Sequence, residues 1–385
     1  MRVLFVNHTG LVSGAERSLL TLIDGMPSER VAGLACPAGP LADMARERGI
    51  CVHRVRGTAG SLRLHPWHTP VAVIEMMLSG AQVARAARRS SATILHANSL
   101  RAGLVAGIAC RICDRGLVTH VRDCLPDSAS TRLIRRLVAR EADQVIAISQ
   151  YVADRFRAGL SGRGARLRVI DNPVDLDRFH ADLRGSDGSG SAGPLLAVVG
   201  QISSWKGHDT AIRALHELRT DHPRARLLIV GEVKFAGAAT RLDNRGYLAD
   251  LQRLVRELGL EDAIEFLGER DDVPQIMAGA DVILAPSIEE PFGRTVAEAM
   301  AVGTPVVATN VGGPAELIED GVTGLLAPPG EPTAWSSAIR RIVEDPQWAR
   351  EMGRRAGETA RERFAVERHV AAMIEVYESV RPTGG

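Results

Sequence analysis

Short apolar runs alternate with amphipathic stretches along most of this chain. Arg2–Asn7 is a brief apolar run that ends in a Gly- and Ser-bearing loop, and Ala15–Gly25 then carries Leu19, Leu20, Leu22 and Ile23 at helical spacing. The same strand, loop and helix order returns in Gly33–Pro37 with Leu41–Arg48, in Thr93–His96 with Arg101–Cys113, in Gly116–Val121, and in Gln144–Ser149 with Gln150–Gly159. Strands alternating with helices at this spacing predict a parallel sheet covered on both faces. A second series follows: strand Leu195–Gly200, helix His208–Thr220, strand Arg226–Gly231, helix Tyr247–Leu258, strand Ile264–Leu267, helix Val273–Ala278, strand Val282–Ala285, helix Thr295–Val302 and strand Pro305–Thr309. Pro332–Tyr377 is helical by pattern, and Gly385 closes a short end expected to be disordered.

Between the two series, residues 181–193 hold almost no apolar side chain and read as a linker. The expected division is therefore 1–180, a linker at 181–193, 194–365, and a terminal helix and tail at 366–385 that packs back on the first domain. Gly188, Gly190 and Gly193 spell a dinucleotide fingerprint inside that linker. They precede a strand instead of following one, so their amides have no pyrophosphate to face and the match is discarded.

Composition changes the picture modestly. At 385 residues and 45% hydrophobic content the chain is too long for one ordinary core, which favours two domains. The net charge of +1 hides an asymmetry: residues 1–180 hold 25 Arg and no Lys against 15 Asp plus Glu, about +10, and the remainder is about −9. A basic first half suits an acidic acceptor or an anionic membrane face, and equally a mixed solvated surface; no nucleic acid is expected. Thr131–Arg140 sets Arg132, Arg135, Arg136 and Arg140 among Leu133, Ile134, Leu137 and Val138. Interfacial helices have this form, and so do amphipathic helices packed on a sheet. The five cysteines form no regular framework, and the Cys110/Cys113 pair has no second pair downstream; a reducing, cytoplasmic setting follows, with peripheral contact at the inner membrane face left open. No leader pattern or 18-residue apolar span is seen, and oligomeric state is not readable.

Ligands of open parallel sheets sit beyond the strands' carboxyl ends, which directs attention to three loops in the second half. In Gly200–Gly207, Lys206 is one of only two lysines in the chain, a compact ammonium beside a glycine and suited to a phosphate. In Pro286–Met300 an acidic loop passes Gly293 into a helix whose free amides and dipole form an anion site at Thr295 and Val296 that needs no metal. Glu298 is the only charge in the apolar run Thr295–Val302, one turn in, where its carboxylate can accept from ribose hydroxyls. Glu290 lies in the loop and can face a sugar. Singly, either glutamate also reads as a cap or a surface charge. Gly312-Gly313-Pro314 opens another helix and is weak evidence alone.

Glu290, seven residues, then Glu298-Ala299-Met300-Ala301-x-Gly303-x-Pro305-Val306-Val307-Ala308-Thr309 and Gly312-Gly313 closely resembles the retaining glycosyltransferase family 4, whose fold is called GT-B. Agreement runs along nearly the whole chain, through Gly14-Ala15-Glu16, His96-Ala97-Asn98-Ser99, His120-Val121-Arg122-Asp123, Ala142–Ser149, Asn172-Pro173-Val174-Asp175 and Lys206-Gly207. The resemblance implies an α/β protein of two Rossmann-like domains facing across a cleft, transferring a sugar from a nucleotide-diphosphate sugar, UDP favoured and GDP the alternative, to an acceptor hydroxyl. It implies that Glu298 holds the donor ribose, that Lys206 neutralises the departing diphosphate, and that Glu290 with the Phe292-Gly293 backbone contacts the sugar. Gly14 would let the first-domain loop approach the diphosphate, and His120 would sit near the transferred sugar. Asn98, Arg122, Asp123 and Asn172 fall on the acceptor side. No metal or cofactor is expected. Two departures stand out: Gln201 occupies a position usually held by arginine, leaving Arg270 or Arg294 to compensate, and His-Val-Arg-Asp replaces an adjacent His-Asp, so that His120, favoured, competes with Arg122 for the catalytic side. A nucleotide-sugar epimerase, a phosphorylase or a silent nucleotide-sugar-binding subunit are the alternatives on this architecture. Acceptor recognition is expected in loops such as Arg56–Thr69 and Asn98–Arg101.

Overall fold

A computed structural model describes residues 1–57, 68–158, 160, 166–184, 193–234 and 244–380. The chain divides into two compact units, Met1–Pro173 with Val366–Gly385, and Val174–Ala365. The division therefore falls at Pro173/Val174, ahead of the expected 180, because Ala181–Leu183 forms a short 3-10 turn in the second unit and Arg184 donates to Thr304 Oγ1 (2.7 Å) there. The rest of the expected linker, 185–192 with Gly188 and Gly190, lies outside the described residues, as do 58–67 of the Arg56–Thr69 loop and the end at Gly385.

The first unit holds a seven-stranded sheet built from β1 (Val3–Val6), β2 (Val31–Cys36), β3 (Val52–Arg54), β4 (Ile94–Ala97), β5 (Gly116–Val121), β6 (Gln144–Ala147) and β7 (Arg166–Val169), in the order β3-β2-β1-β4-β5-β6-β7. Every pairing is parallel. The central strands β1, β4, β5 and β6 are buried throughout, which is why they read as continuous apolar runs. The edge strands β3 and β7 are short and largely polar and carried no such signal. The pattern also missed helix His68–Arg89, whose turns mix apolar and charged residues without one clean stripe.

The second unit holds a six-stranded parallel sheet: β8 (Leu195–Val199), β9 (Arg226–Val230), β10 (Ile264–Gly268), β11 (Val282–Ala285), β12 (Val306–Thr309) and β13 (Leu325–Ala327), in the order β10-β9-β8-β11-β12-β13. Its core joins Leu196, Val198, Leu227, Ile229, Val282 and Leu284 to the flanking helices, with Trp335 fully buried. The strand order reverses direction between β8 and β11, so their following loops separate and leave a crevice at the carboxyl end.

The helical tail comprises Pro332–Glu344, Pro346–Phe364 and Val366–Ser379. The first two belong to the second unit and the last to the first, where Val370, Met373, Val376, Tyr377 and Val380 join the core of Phe5, Leu19, Leu22, Val118 and Ile146. No described helix is long and apolar enough to cross a membrane.

Candidate nucleotide-sugar site

In the second unit the loop after β8 turns through Gly200, makes a 3-10 turn at Ser204–Lys206 and enters helix His208–Leu218 at Gly207. Gly207 has φ of +67°, and a Cβ there would stand 2.0 Å from the Pro286 carbonyl oxygen, so only glycine allows this loop to press against the end of β11. The Ile288 amide donates to the Trp205 carbonyl (2.8 Å) and ties the loops together. The consequence is an ion pair: Lys206 Nζ stands 2.6 Å from Glu290 Oε2, an oxygen that also accepts from Ser287 Oγ at 3.1 Å. Lys206 Nζ further sits 4.3 Å from the Trp205 ring centroid.

Glu290 is fixed from behind by the glycine pair that looked weak on its own. Gly313 N donates to the Glu290 carbonyl (2.8 Å), and Gly312, with φ of +89°, would place a Cβ 2.1 Å from that oxygen. Helix Arg294–Val302 then starts at Gly293 without any side-chain cap, so its first-turn amides stay available to an anion. Thr295 Oγ1 donates to the Val199 carbonyl (3.1 Å) and pins that helix start to the end of β8.

Lys206, Glu290, Gly293, Thr295 and Val296 consequently line one pocket with Gly200, His208, Pro286 and Ser287. The other donor-side candidates are not among its lining residues. Glu298 is buried one turn into the helix, its Oε1 3.3 Å from Arg294 Nε. Phe292 is buried, its ring edge-on to Phe364 at 6.1 Å. Gln201 is half-buried just past Gly200. Arg270 is exposed after β10 and holds Asp272 with two bonds of 2.8 and 2.6 Å. Both arginines considered as compensation for Gln201 are thus engaged with carboxylates, and neither lines the pocket.

In the first unit, Asn7, Asn98 and Arg122 follow β1, β4 and β5 and form a buried chain. Arg122 Nε donates to Asn98 Oδ1 (2.7 Å), its Nη1 to Asn172 Oδ1 (2.5 Å), and its Nη2 lies 3.3 Å from His120 Nδ1. Asn98 Nδ2 donates to Asn7 Oδ1, and Asn7 Nδ2 to Glu16 Oε1. Glu16 also accepts from the Ser13 amide and hydroxyl, closing the turn that begins helix Gly14–Gly25. Burial pushes the Arg122 guanidinium down to about 10.

His120 is fully enclosed, its ring 5.5 Å from His96 and 6.5 Å from His369, whereas Asp123 is the exposed member of His-Val-Arg-Asp. His96 Nδ1 meets the Tyr377 hydroxyl at 2.7 Å, and His369 Nδ1 donates to the Asp171 carbonyl at 2.8 Å. Burial first, and then the Arg122 charge, hold His96 and His120 well below the usual imidazole value; burial likewise takes His369 to about 4. The last-helix partners His369 and Tyr377 left no signal in the sequence, because nothing local marks a contact across most of the chain. Burial raises the Cys110 and Cys113 thiols, as in inert core cysteines, and among the described residues no three His, Cys, Asp or Glu side chains gather as a metal site.

Comparison with known proteins agrees with this layout. The model of Glycosyltransferase Family 4 matches residues 12–178 and that of Glycosyl transferases group 1 matches 181–363. The structure of Anabaena Alr3699/HepE in complex with UDP and glucose is 30% identical, with a TM-score of 0.83 over 99% of this chain and 100% of that one. Sucrose-phosphate synthase of Thermosynechococcus elongatus, 22% identical over 98% of each chain with a TM-score of 0.79, shares the fold. A D-inositol 3-phosphate glycosyltransferase of Saccharomonospora viridis is 32% identical over 254 residues, 64% of this chain and 58% of the relative, so the match spans little more than half of that protein. With two Rossmann-like parallel-sheet domains, two family models that together run from residue 12 to 363, and an end-to-end match to a solved structure, the chain belongs to glycosyltransferase family 4, on the GT-B fold.

Proposed function

We propose that this protein is a retaining glycosyltransferase that moves a hexosyl group from a nucleoside diphosphate sugar, a UDP-sugar before a GDP-sugar, to an acceptor hydroxyl in bacterial polysaccharide, glycolipid or natural-product synthesis. One observation carries the reading: an ammonium, an uncapped helix start and the loop glutamate Glu290 line one pocket at the carboxyl ends of β8 and β11, with Glu298 buried one turn into that helix. Each answers one part of a nucleoside diphosphate sugar. Lys206 and the amides after Gly293 meet the diphosphate, Glu298 accepts from the ribose, and Glu290 faces the sugar. The end-to-end likeness to Anabaena HepE, whose structure holds UDP, favours uracil as the base.

In the reaction the bond from the anomeric carbon to the phosphate oxygen breaks, and a bond to the acceptor oxygen forms on the same face. The acceptor proton leaves on the departing phosphate. Negative charge grows on the diphosphate as the bond breaks, so donors fixed beforehand lower the barrier more than they tighten the ground state. No metal is assigned to this role.

Of the two acceptor classes, a small molecule and a lipid-linked hydroxyl, the lipid-linked one is favoured, met at a membrane surface. Helix Ala129–Glu141 buries Ile134, Val138 and Arg135, the last bonded to the Ala158 carbonyl and Asp127, so Arg135 leaves the basic face expected of it. Leu133 and Leu137 remain exposed beside Arg132 and Arg136, and helix His68–Arg89 exposes Val71, Ile74, Met77 and Leu78. Arginines around exposed apolar side chains suit an anionic bilayer. The protein is expected to sediment with phosphatidylglycerol vesicles and not with phosphatidylcholine vesicles, and Leu133→Asp to abolish this; sedimentation that ignores lipid charge rejects the placement.

The donor assignment is tested by thermal stabilisation with UDP, GDP, their sugar conjugates and NAD. One nucleoside diphosphate is expected to raise the melting temperature, and Glu298→Ala to erase that rise. A response to NAD alone rejects the reading, and stabilisation without any sugar transfer identifies a silent binding subunit.

A further inference from the structure

The loop that carries Lys206 also carries an aromatic ring with no part in the reaction scheme above. Trp205 lies half-buried in the 3-10 turn Ser204–Lys206, and its backbone is tied down on both sides. Its carbonyl accepts from the Ile288 amide at 2.8 Å, and the Lys206 amide closes the turn on the Ser203 carbonyl at 2.9 Å. The ring therefore has a fixed seat, and Lys206 Nζ lies 4.3 Å from its centroid, inside the range of a cation–π contact. Among the described residues the ammonium has two partners, this ring and the Glu290 carboxylate at 2.6 Å. These partners act on the charge in different ways. Glu290 is an anion that cancels the lysine's charge, so a phosphate takes the ammonium only by displacing it. The indole is neutral: its π face attracts an ammonium without neutralising it, and still does so when a phosphate binds on another side. A lysine held by Glu290 alone would regain the rotamer freedom of its four-carbon stem each time that carboxylate let go.

We infer that Trp205 is a positioning residue for the donor diphosphate, whose ring keeps the Lys206 ammonium at the pocket while the Glu290 contact exchanges for a phosphate oxygen. The inference rests on the donor reading above and adds to it a partner that persists through turnover. Trp205 acts through Lys206 and is not among the residues that line the pocket. Negative charge on the diphosphate is greatest as the sugar bond breaks, so the ring's effect is larger on turnover than on ground-state binding.

The test is calorimetric titration of the full chain with UDP and with uridine, or with GDP and guanosine if guanine is the base, while the π face at position 205 is weakened in steps. Mono-, di- and trifluorotryptophan placed at that one position drain negative charge from the ring with little change in its size. UDP affinity is expected to fall stepwise, by about fivefold for the trifluoro ring, with uridine unchanged throughout. In the Lys206→Ala chain the same series should be flat, because a coupling between two side chains vanishes when either is removed. Trp205→Leu should lower kcat for UDP release about tenfold with a smaller rise in KM, and Trp205→Phe should restore most of that loss. Unchanged UDP affinity along the fluorinated series overturns the inference, and so does an equal decline in the Lys206→Ala chain, which would show that the ring meets the ligand itself. If Trp205→Leu does not fold, the fluorinated series decides alone. Failure of the wild type to bind UDP or GDP at all brings down the donor reading and this inference together, and is seen before any variant is made.

Discussion

Lys206 already has an anion, Glu290 Oε2 at 2.6 Å, and on the proposed reading a donor diphosphate must compete for it. The pair is partly exposed, with side-chain accessibilities of 19% and 14%, so the exchange is cheap compared with breaking a fully buried pair. Lys206→Ala is expected to lower turnover about 10²-fold or more, measured as UDP release, while shifting the melting temperature by only a few degrees. An equal loss of stability and activity would make the lysine structural. Lys206, Glu290 and Glu298 could be singled out from the sequence because each has a local mark: a rare lysine, an acidic loop after a strand, and the one charge in an apolar helix start. The role of Gly312 could not, although Gly312-Gly313 reads as a turn, since its reason is the Glu290 carbonyl 2.1 Å from where a side chain would begin, and that neighbour comes from another loop.

At the scale of elements, β4, β5 and the last helix bring His96, His120 and His369 together in the dark interior of the first unit. All three are held neutral by burial, as are His208 in the other unit and, at about 4, His8. A histidine with a folded value near 4 and an unfolded value near 6.5 binds more protons when unfolded. Its contribution is complete above pH 6.5 and is lost as pH falls toward 4, by about 1.4 kcal/mol per pH unit for each such group. Melting temperature should therefore fall steeply between pH 6.5 and 4.5, and His369→Gln should flatten the slope; a flat wild-type profile would mean that these rings are hydrated. The predicted elements were correct where burial is two-sided, as in β1, β4, β5 and β6. They failed at the edge strands β3, β7 and β13, because an edge strand takes its structure from a neighbour's backbone more than from its own side chains.

For the whole molecule, the last helix completes a core begun more than three hundred residues earlier, with Val370, Met373, Val376, Tyr377 and Val380 packed among Phe5, Leu19 and Leu22. Burying side chains of this kind contributes about 1.5–3 kcal/mol each, and together that rivals the entire stability of an ordinary domain. Truncation after Ala365 is expected to leave the Val174–Ala365 unit folded and the Met1–Pro173 unit open to limited proteolysis. Protection of both units after truncation would show that the helix is dispensable.

The sequence by itself determined the two parallel sheets, their buried strands, the loops that carry Lys206, Glu290 and the helix start at Gly293, and through them the family. These features are local: a run of apolar residues, a glycine and a charge lie within one strand, loop and helix. The tertiary structure alone decided that Lys206 pairs with Glu290, that Arg270 and Arg294 are spent on carboxylates, that Arg135 is buried, and that Tyr377 and His369 close the first unit's histidine layer. Each of these joins groups far apart in the chain or sets which way a side chain turns, and neither is written in a residue's immediate neighbours.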